Sequence, residues 1–401
     1  MKNIPISKFV SLCSALFLIV LFSTTARSQW VQTNGLSGMN VRCFAANGST
    51  LFAGTMGDGL YVSTDAGANW ALATPSLPKE FILALAVDGT NIFKAAGPKG
   101  MFLSTDNGVS WTSINSGLPP VGTNVFAVIA NGANLFAGTG GGFFLSTDNG
   151  ASWTAANDGL SALSIWSLAL HGNTILAGTE GGGIYASTDN GTLWSSVGLP
   201  GPTVTSILAH EGKVFAASYG AGIFLSTDNG TNWEEMNTGL TNLSVQSIKA
   251  TGSDLFAGTN GGGGIFRSTD DGKSWTSVSI GLTNKSVRDF LVSDGYLLAG
   301  TMDGIWRRPL SEFGASSVGE DDPLSDAITI SPNPTTGIVT IRCEAKDAIH
   351  VTVANILGER MLEMTQPASD FTFELSRFPA GVYVVKFVTA GRATSKMLIK
   401  E

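Results

Sequence analysis

A chain of 401 residues with 50 Gly, 43% hydrophobic and 13% charged residues is packed and full of tight turns, which excludes a disordered chain. Its net charge of −8 repels phosphate backbones and anionic lipid surfaces, so no nucleic-acid partner is expected. The three cysteines, Cys13, Cys43 and Cys343, are too scattered for a disulfide framework, and the last two read as small buried hydrophobes.

The first 28 residues read as a secretory signal peptide. Lys2 and Lys8 supply a basic start, Phe9 to Phe22 an apolar core and Ala26-Arg27-Ser28 a small-residue cleavage site. The apolar stretch is short for a spanning helix of about 20 residues, so no transmembrane helix is expected in the mature chain. Cleavage removes three bases and no acid, leaving 20 of the 23 basic residues against 31 acids, a net charge of about −11.

Residues 29–310 repeat. Ser-Thr-Asp-x-Gly-x-x-Trp begins at Ser63, Ser104, Ser146, Ser187, Ser226 and Ser268, in steps of 41, 42, 41, 39 and 42 residues. Its acids are Asp65, Asp106, Asp148, Asp189, Asp228 and Asp270, each able to accept backbone N–H bonds ahead of it, while the Gly two positions on takes positive φ and the Trp packs beneath the turn. Around this octapeptide each unit predicts four strands, with turns such as Asn47-Gly48 and Asn131-Gly132 at the first hairpin. Four strands in about 40 residues, repeated, predict propeller blades.

Counting predicts the closure. A strand of the Leu-Phe-Ala-Gly-Thr type occurs seven times, from Leu51 to Leu297, whereas the octapeptide occurs six times; Arg307-Arg308 stands where a seventh would begin. Trp30 precedes Gly35-Leu36 as Trp153 precedes Gly159-Leu160, so residues 30–33 are expected to be the outer strand of the last blade. The fold class is therefore all-β, with a seven-bladed propeller closed by an N-terminal strand, which leaves no exposed sheet edge.

The octapeptide resembles the Asp-box (BNR) repeat of sialidases, sortilin-type receptors, xyloglucan-degrading enzymes and photosystem-assembly propellers. That resemblance implies that the Asp turns lie on the face away from a ligand.

After Pro309 the pattern stops. Residues 311–325, with Gly314-Ala315-Ser316-Ser317 and Glu320-Asp321-Asp322-Pro323, have the composition of a linker. Residues 326–401 hold six alternating runs, Ile328–Ile330, Ile338–Ile341, Ile349–Val353, Phe371–Leu375, Val382–Phe387 and Met397–Ile399, and six or seven short strands over this length predict a small immunoglobulin-like sandwich. Ser331-Pro332-Asn333-Pro334-Thr335-Thr336-Gly337, Asn355-Ile356-Leu357-Gly358-Glu359-Arg360 and Pro379-Ala380-Gly381-Val382-Tyr383 resemble the type A C-terminal sorting domain of the Bacteroidota type IX secretion system. The resemblance implies periplasmic transit, the type IX machinery as partner for 326–401, and a final place at the outer-membrane surface or outside the cell.

No cofactor, metal spacing or phosphate loop is expected; the Gly runs at Gly140 and Gly261 lack a following Lys-Ser/Thr. A two-carboxylate hydrolase needs acids about 5–9.5 Å apart. Asp58, Glu180 and Asp303 edge the expected ligand face, and only the blades of Asp58 and Asp303 adjoin. His171 and His210 fall at the opposite end. Between two apolar positions of every innermost strand lies a varying one, Arg42, Leu83, Phe126, Trp166, Thr205, Gln246 and Arg288. Variation between fixed neighbours marks the channel mouth as the ligand site, with Arg42 and Arg288 side by side for an anion and Phe126 and Trp166 opposite as a platform; the alternative has the arginines paired with Asp289 or Asp303. The expected function is non-catalytic binding of a glycan or protein ligand, the alternatives being a glycoside hydrolase and a purely structural surface protein.

Overall fold

A computed structural model describes residues 29–73, 79–119, 124–199, 201–314, 328–343, 348–355, 360–367, 369–389 and 392–400. The expected signal peptide and the acidic run 320–322 lie outside them. Seven four-stranded antiparallel sheets form a ring of blades, whose innermost strands are Val41–Asn47, Ala84–Asp88, Val125–Asn131, Ile165–His171, Thr203–His210, Val245–Thr251 and Val287–Ser293 in blades one to seven.

No blade has a core of its own. The apolar residues gather at the interfaces between consecutive blades, as at the third interface, where Phe136 and Phe143 of blade three meet Ile165, Ile175 and Trp194 of blade four. The interface between blades seven and one is built the same way, from Leu291, Leu298 and Ile305 against Val41, Phe44 and Leu51. Two glycine positions set the spacing between blades. In the second strand a Cβ on Gly138 would stand 2.6 Å from Ile165 of the next blade, and one on Gly300 would stand 2.8 Å from Val41, so in these blades Gly lets the next inner strand approach, while blades two and five carry the small Ala95 and Ala217 there. After the outer strand, Gly159 has φ +90, and a Cβ there would lie 2.0 Å from the carbonyl oxygen of Trp194. The Thr that follows the second-strand Gly closes the next loop, Thr139 Oγ1 donating to the carbonyl of Gly142 at 2.8 Å.

Closure is as the count predicts. Val31–Gln32 pairs with Gly304–Pro309 as the outer strand of blade seven, Val31 opposite Arg307 and Gln32 opposite Trp306. Trp30 is buried and its indole N–H donates to the carbonyl of Val278 at 2.7 Å, as Trp153 donates to Ile114 at 2.8 Å.

Each octapeptide is a closed hydrogen-bonded turn. In the third, Ser146 Oγ donates to Asp148 Oδ1 at 2.7 Å and accepts from the N–H of Gly150 at 2.8 Å, while Asp148 Oδ1 accepts from the N–H of Ser152 at 2.9 Å. These donors hold the Asp carboxyls below their ordinary value, down to about 2 for Asp65, Asp106 and Asp148.

Three elements depart from expectation. The linker does not begin at 311: Ser311–Gly314 forms a helical turn whose Phe313 is buried against Trp30 and Phe256, with the guanidinium of Arg308 4.2 Å from its ring. Blade two replaces Ala-Gly-Thr by Lys94-Ala95-Ala96; Lys94 is 3% exposed, paired with Glu80 and 4.6 Å above the Trp111 ring. The C-terminal unit has a seventh strand, Arg360–Gln366, at the edge of the sheet with Ile349–Asn355, Gly381–Thr389 and Arg392–Lys400. A second sheet, Ile328–Ser331, Ile338–Cys343 and Phe371–Glu374, completes a sandwich packed through Val339, Ile341, Val351, Val353, Val385 and Phe387.

Candidate ligand site at the channel mouth

The varying position of the inner strand has a backbone cause. In six blades the pairing between the inner and second strands shifts by one residue just after the first β-branched residue, for example between Val125 and Ala127 and between Val287 and Asp289. The residue skipped is Arg42, Phe126, Trp166, Thr205, Gln246 or Arg288. A bulge leaves that residue out of the ladder and re-aims its side chain, which frees its identity from packing rules. Blade two lacks the bulge; its strand begins at Ala84, and Leu83 is buried just ahead of it.

The bulge residues meet one another around the ring. Phe126 and Trp166 stack with ring centroids 4.9 Å apart at 11°. Trp166 Nε1 donates to Ser164 Oγ at 3.1 Å, and Ser164 Oγ donates to Glu180 Oε2 at 2.9 Å, so Glu180 belongs to the aromatic side of the mouth. Thr205 turns inward, its hydroxyl donating to the carbonyl of Val245 at 2.7 Å in the next blade. Gln246 is buried and its Oε1 accepts from Arg288 Nη1 at 3.2 Å.

Arg288 and Arg42 sit within electrostatic reach of each other. Burial first, and then the charge of Arg42, pulls the Arg288 guanidinium below its ordinary value, and the buried Nε of Arg288 has no hydrogen-bond partner among the described residues. Among the described residues neither arginine forms an ion pair with Asp289 or Asp303, although the charge of Arg42 reaches Asp289 and favours its carboxylate. Asp289 points into the blade interface instead: its Oδ2 accepts from the N–H of Phe44 in blade one at 2.9 Å and its Oδ1 from the N–H of Phe290 at 2.8 Å. Burial raises its carboxyl. Cys43, at the equivalent position of blade one, has its thiol pushed up to about 12 by burial and then by Asp289, so it is inert as a nucleophile.

The other loop acids are held separately. Asp58 Oδ1 is 3.0 Å from Lys79 Nζ, and Asp303 Oδ1 accepts from the N–H of Gly38 at 2.7 Å; no hydrogen bond joins the two carboxylates. His171 and His210 lie at the far end as expected, where His171 Nε2 meets Asn229 Oδ1 at 2.9 Å in a neighbouring octapeptide. Among the described residues no cluster of His, Cys, Asp and Glu fits a metal ion.

One residue was missed by sequence reasoning. Tyr219 stands next to the mouth, 55% exposed and near enough to Arg288 to affect its titration. The signal was available: the residue following Thr or Ser at the end of the second strand also varies, as Met56, Gly140, Glu180, Tyr219, Asn260 and Met302.

The comparisons with known proteins agree with both units. Residues 329–401 match the model of the secretion system C-terminal sorting domain, and residues 122–238 match a DUF6242 beta propeller domain. No curated protein matches the chain. PorZ, an essential bacterial surface component of the type-IX secretion system of Porphyromonas gingivalis, is similar at 15% identity and a TM-score of 0.56, over 89% of this chain and 59% of that one. YCF48 bound to D1 peptide is similar at 18% identity and a TM-score of 0.58, over 71% of this chain and 96% of that one. The GH74 enzyme of Niastella koreensis is similar at 20% identity and a TM-score of 0.52, over 68% and 43%. At such identities the likeness is one of fold, and this chain spans under two thirds of the PorZ chain. The protein is thus a β-propeller with a type IX secretion sorting domain, which directs it to the cell surface or out of the cell through contact with the secretion machinery. Among the described residues no helix is long and apolar enough to cross a membrane.

Proposed function

We propose that the propeller is a binding module that holds an anionic glycan or polypeptide at its channel mouth without catalysing a reaction. One observation carries this reading: two guanidiniums of adjoining blades, Arg42 and Arg288, form no ion pair among the described residues, and a stacked aromatic pair from blades three and four shares their ring. Guanidiniums recognise carboxylate or sulfate through paired N–H donors, and an aromatic face takes a sugar ring or an extended peptide. That YCF48, of the same fold, is seen with a bound peptide is consistent with such use.

The competing reading, a glycoside hydrolase, draws on the fold shared with a GH74 enzyme. It needs a free acid and a free base facing one substrate, whereas Asp58 is engaged by Lys79 and Asp303 by a backbone N–H. A glycan array and a peptide array, read with the parent and with Arg42→Ala and Trp166→Ala, test the binding reading. Binding by the parent and loss in both variants at an unchanged melting temperature is expected. Retained binding in both variants, or release of reducing ends from a bound polysaccharide that stops in Asp58→Asn, refutes it.

A further inference from the structure

The face around the mouth is apolar in a way that narrows its partner. Among the described residues of the propeller nine large hydrophobic side chains are exposed, and six of them stand at the end where the inner strands begin: Met56, Phe81, Leu163, Tyr219, Leu243 and Met302. The other three are Val31 on the outer rim and Val109 and Leu193 on octapeptide turns. Two β-bridges between neighbouring blades hold four of these residues in place. Met56 of blade one bridges Phe81 at the start of blade two, and Tyr219 of blade five bridges Ser244, beside Leu243 at the start of blade six. These pairs flank Arg42 of blade one and Arg288 of blade seven on both sides of the ring.

We infer that the mouth face docks an internal polypeptide segment in which an acidic side chain, seated on Arg42 and Arg288, is flanked on both sides by apolar residues. The inference rests on the anion-binding reading of the mouth and adds the class of partner. Two features favour polypeptide over glycan. Sugar hydroxyls that bury against Met and Leu side chains find no hydrogen-bond partner there and lose their water, whereas apolar side chains gain by the same contact. Met, Tyr, Phe and Arg are also the residues that protein interfaces concentrate, Met because its unbranched thioether adapts to the partner's shape. Charge fixes the register. The chain carries a net negative charge, so an acidic segment gains most where two guanidiniums stand together. Apolar residues on both sides of that pair call for chain continuing in both directions, hence an internal acid and not a terminal carboxylate.

A displayed library of random dodecapeptides, embedded in carrier sequence at both ends and selected on the full chain, tests this. The enriched sequences are expected to carry Asp or Glu with Leu, Met, Phe or Tyr on each side. In a synthetic copy, replacing that acid by its amide, or using Arg42→Ala protein, weakens binding by about tenfold or more, as loss of a central charged anchor does. Phe81→Ser and Leu243→Ser, both on exposed side chains, weaken it by about fivefold without moving the melting temperature. Enriched sequences without an acid, or binding only by peptides with a free C-terminus, overturn the inference. No enrichment together with Arg42-dependent binding of uronate or sulfated glycans overturns it while leaving the anion site standing; failure of both probes removes both.

Discussion

The two ends of the propeller obey different rules. At one end six turns repeat the same hydrogen bonds, from Ser63 with Asp65 to Ser268 with Asp270, at nearly the same lengths. At the other end, no two bulge residues are alike except the arginines of the adjoining blades one and seven, and the loop acids each find a different partner. Both ends belong to the same strands, so the contrast is not one of fold. Where a side chain completes a structural bond, its identity is fixed; where a bulge releases it from the ladder, it is left to whatever meets the surface.

Experiments can break that contrast, beginning with the blade that lacks an octapeptide. Deleting residues 29–36 removes Trp30 and the outer strand of blade seven, and is expected to abolish cooperative folding or cause aggregation. Trp30→Ala alone is expected to cost about 3–5 kcal/mol in a urea titration. A truncated chain that melts within a few degrees of the parent would falsify the closure.

Gly159→Ala comes next. A methyl group there meets the Trp194 carbonyl at a backbone φ that disfavours it, and a loss of about 2–3 kcal/mol is expected. An unchanged urea midpoint would mean that the blade spacing is not held by these glycines.

The octapeptide end should respond to acid. Its carboxyls titrate lower in the folded protein than the ordinary value of 3.8, so their stabilisation is complete above about pH 4 and is lost as pH falls towards 2. A melting temperature that stays flat from pH 4.5 to 2.5 would contradict this. Ser146→Ala, which leaves the N–H of Gly150 without its acceptor, is expected to cost about 1–2 kcal/mol at neutral pH.

The smallest effect on stability belongs to the mouth. Arg288→Met removes a partly buried charge beside a like charge, together with an orphaned Nε, so calorimetry should find the melting temperature held or slightly raised while ligand binding falls. A loss of stability comparable to that of Ser146→Ala would make Arg288 a structural residue and erase the difference between the ends.

Much of this was legible in the sequence. The period announced the blades, the mismatch between seven Leu-Phe-Ala-Gly-Thr strands and six octapeptides announced the closure, and variation between fixed neighbours picked out the position that the structure bulges in six blades. The bulge itself was not legible, because it exists only in the register between two strands and no single strand records it. Arg360–Gln366 was missed because Arg, Met, Leu and Glu favour helix, and the strand is held from one side only, by Ile349–Asn355. Phe313 was missed because it sits among Ser, Gly and acidic neighbours, and only the rings of Phe256 and Trp30 that it packs against explain why it turns back. Lys94 was missed because a lysine inside a strand of Ile, Phe and Ala reads as an error until Glu80, fourteen residues upstream, is seen beside it.

The docking of Ser311–Gly314 also decides how the propeller meets a pull. Any tension on the tail would enter the ring through Phe313 and pass into Gly304–Pro309. That strand is zipped to Tyr296–Thr301 along six residue pairs, but to Val31–Gln32 along only two. The weaker seam is the one that closes the ring, so traction on the tail would peel the N-terminal strand away before it unravels a blade, and the buried face of Phe313 is the bolt that keeps the load from reaching it.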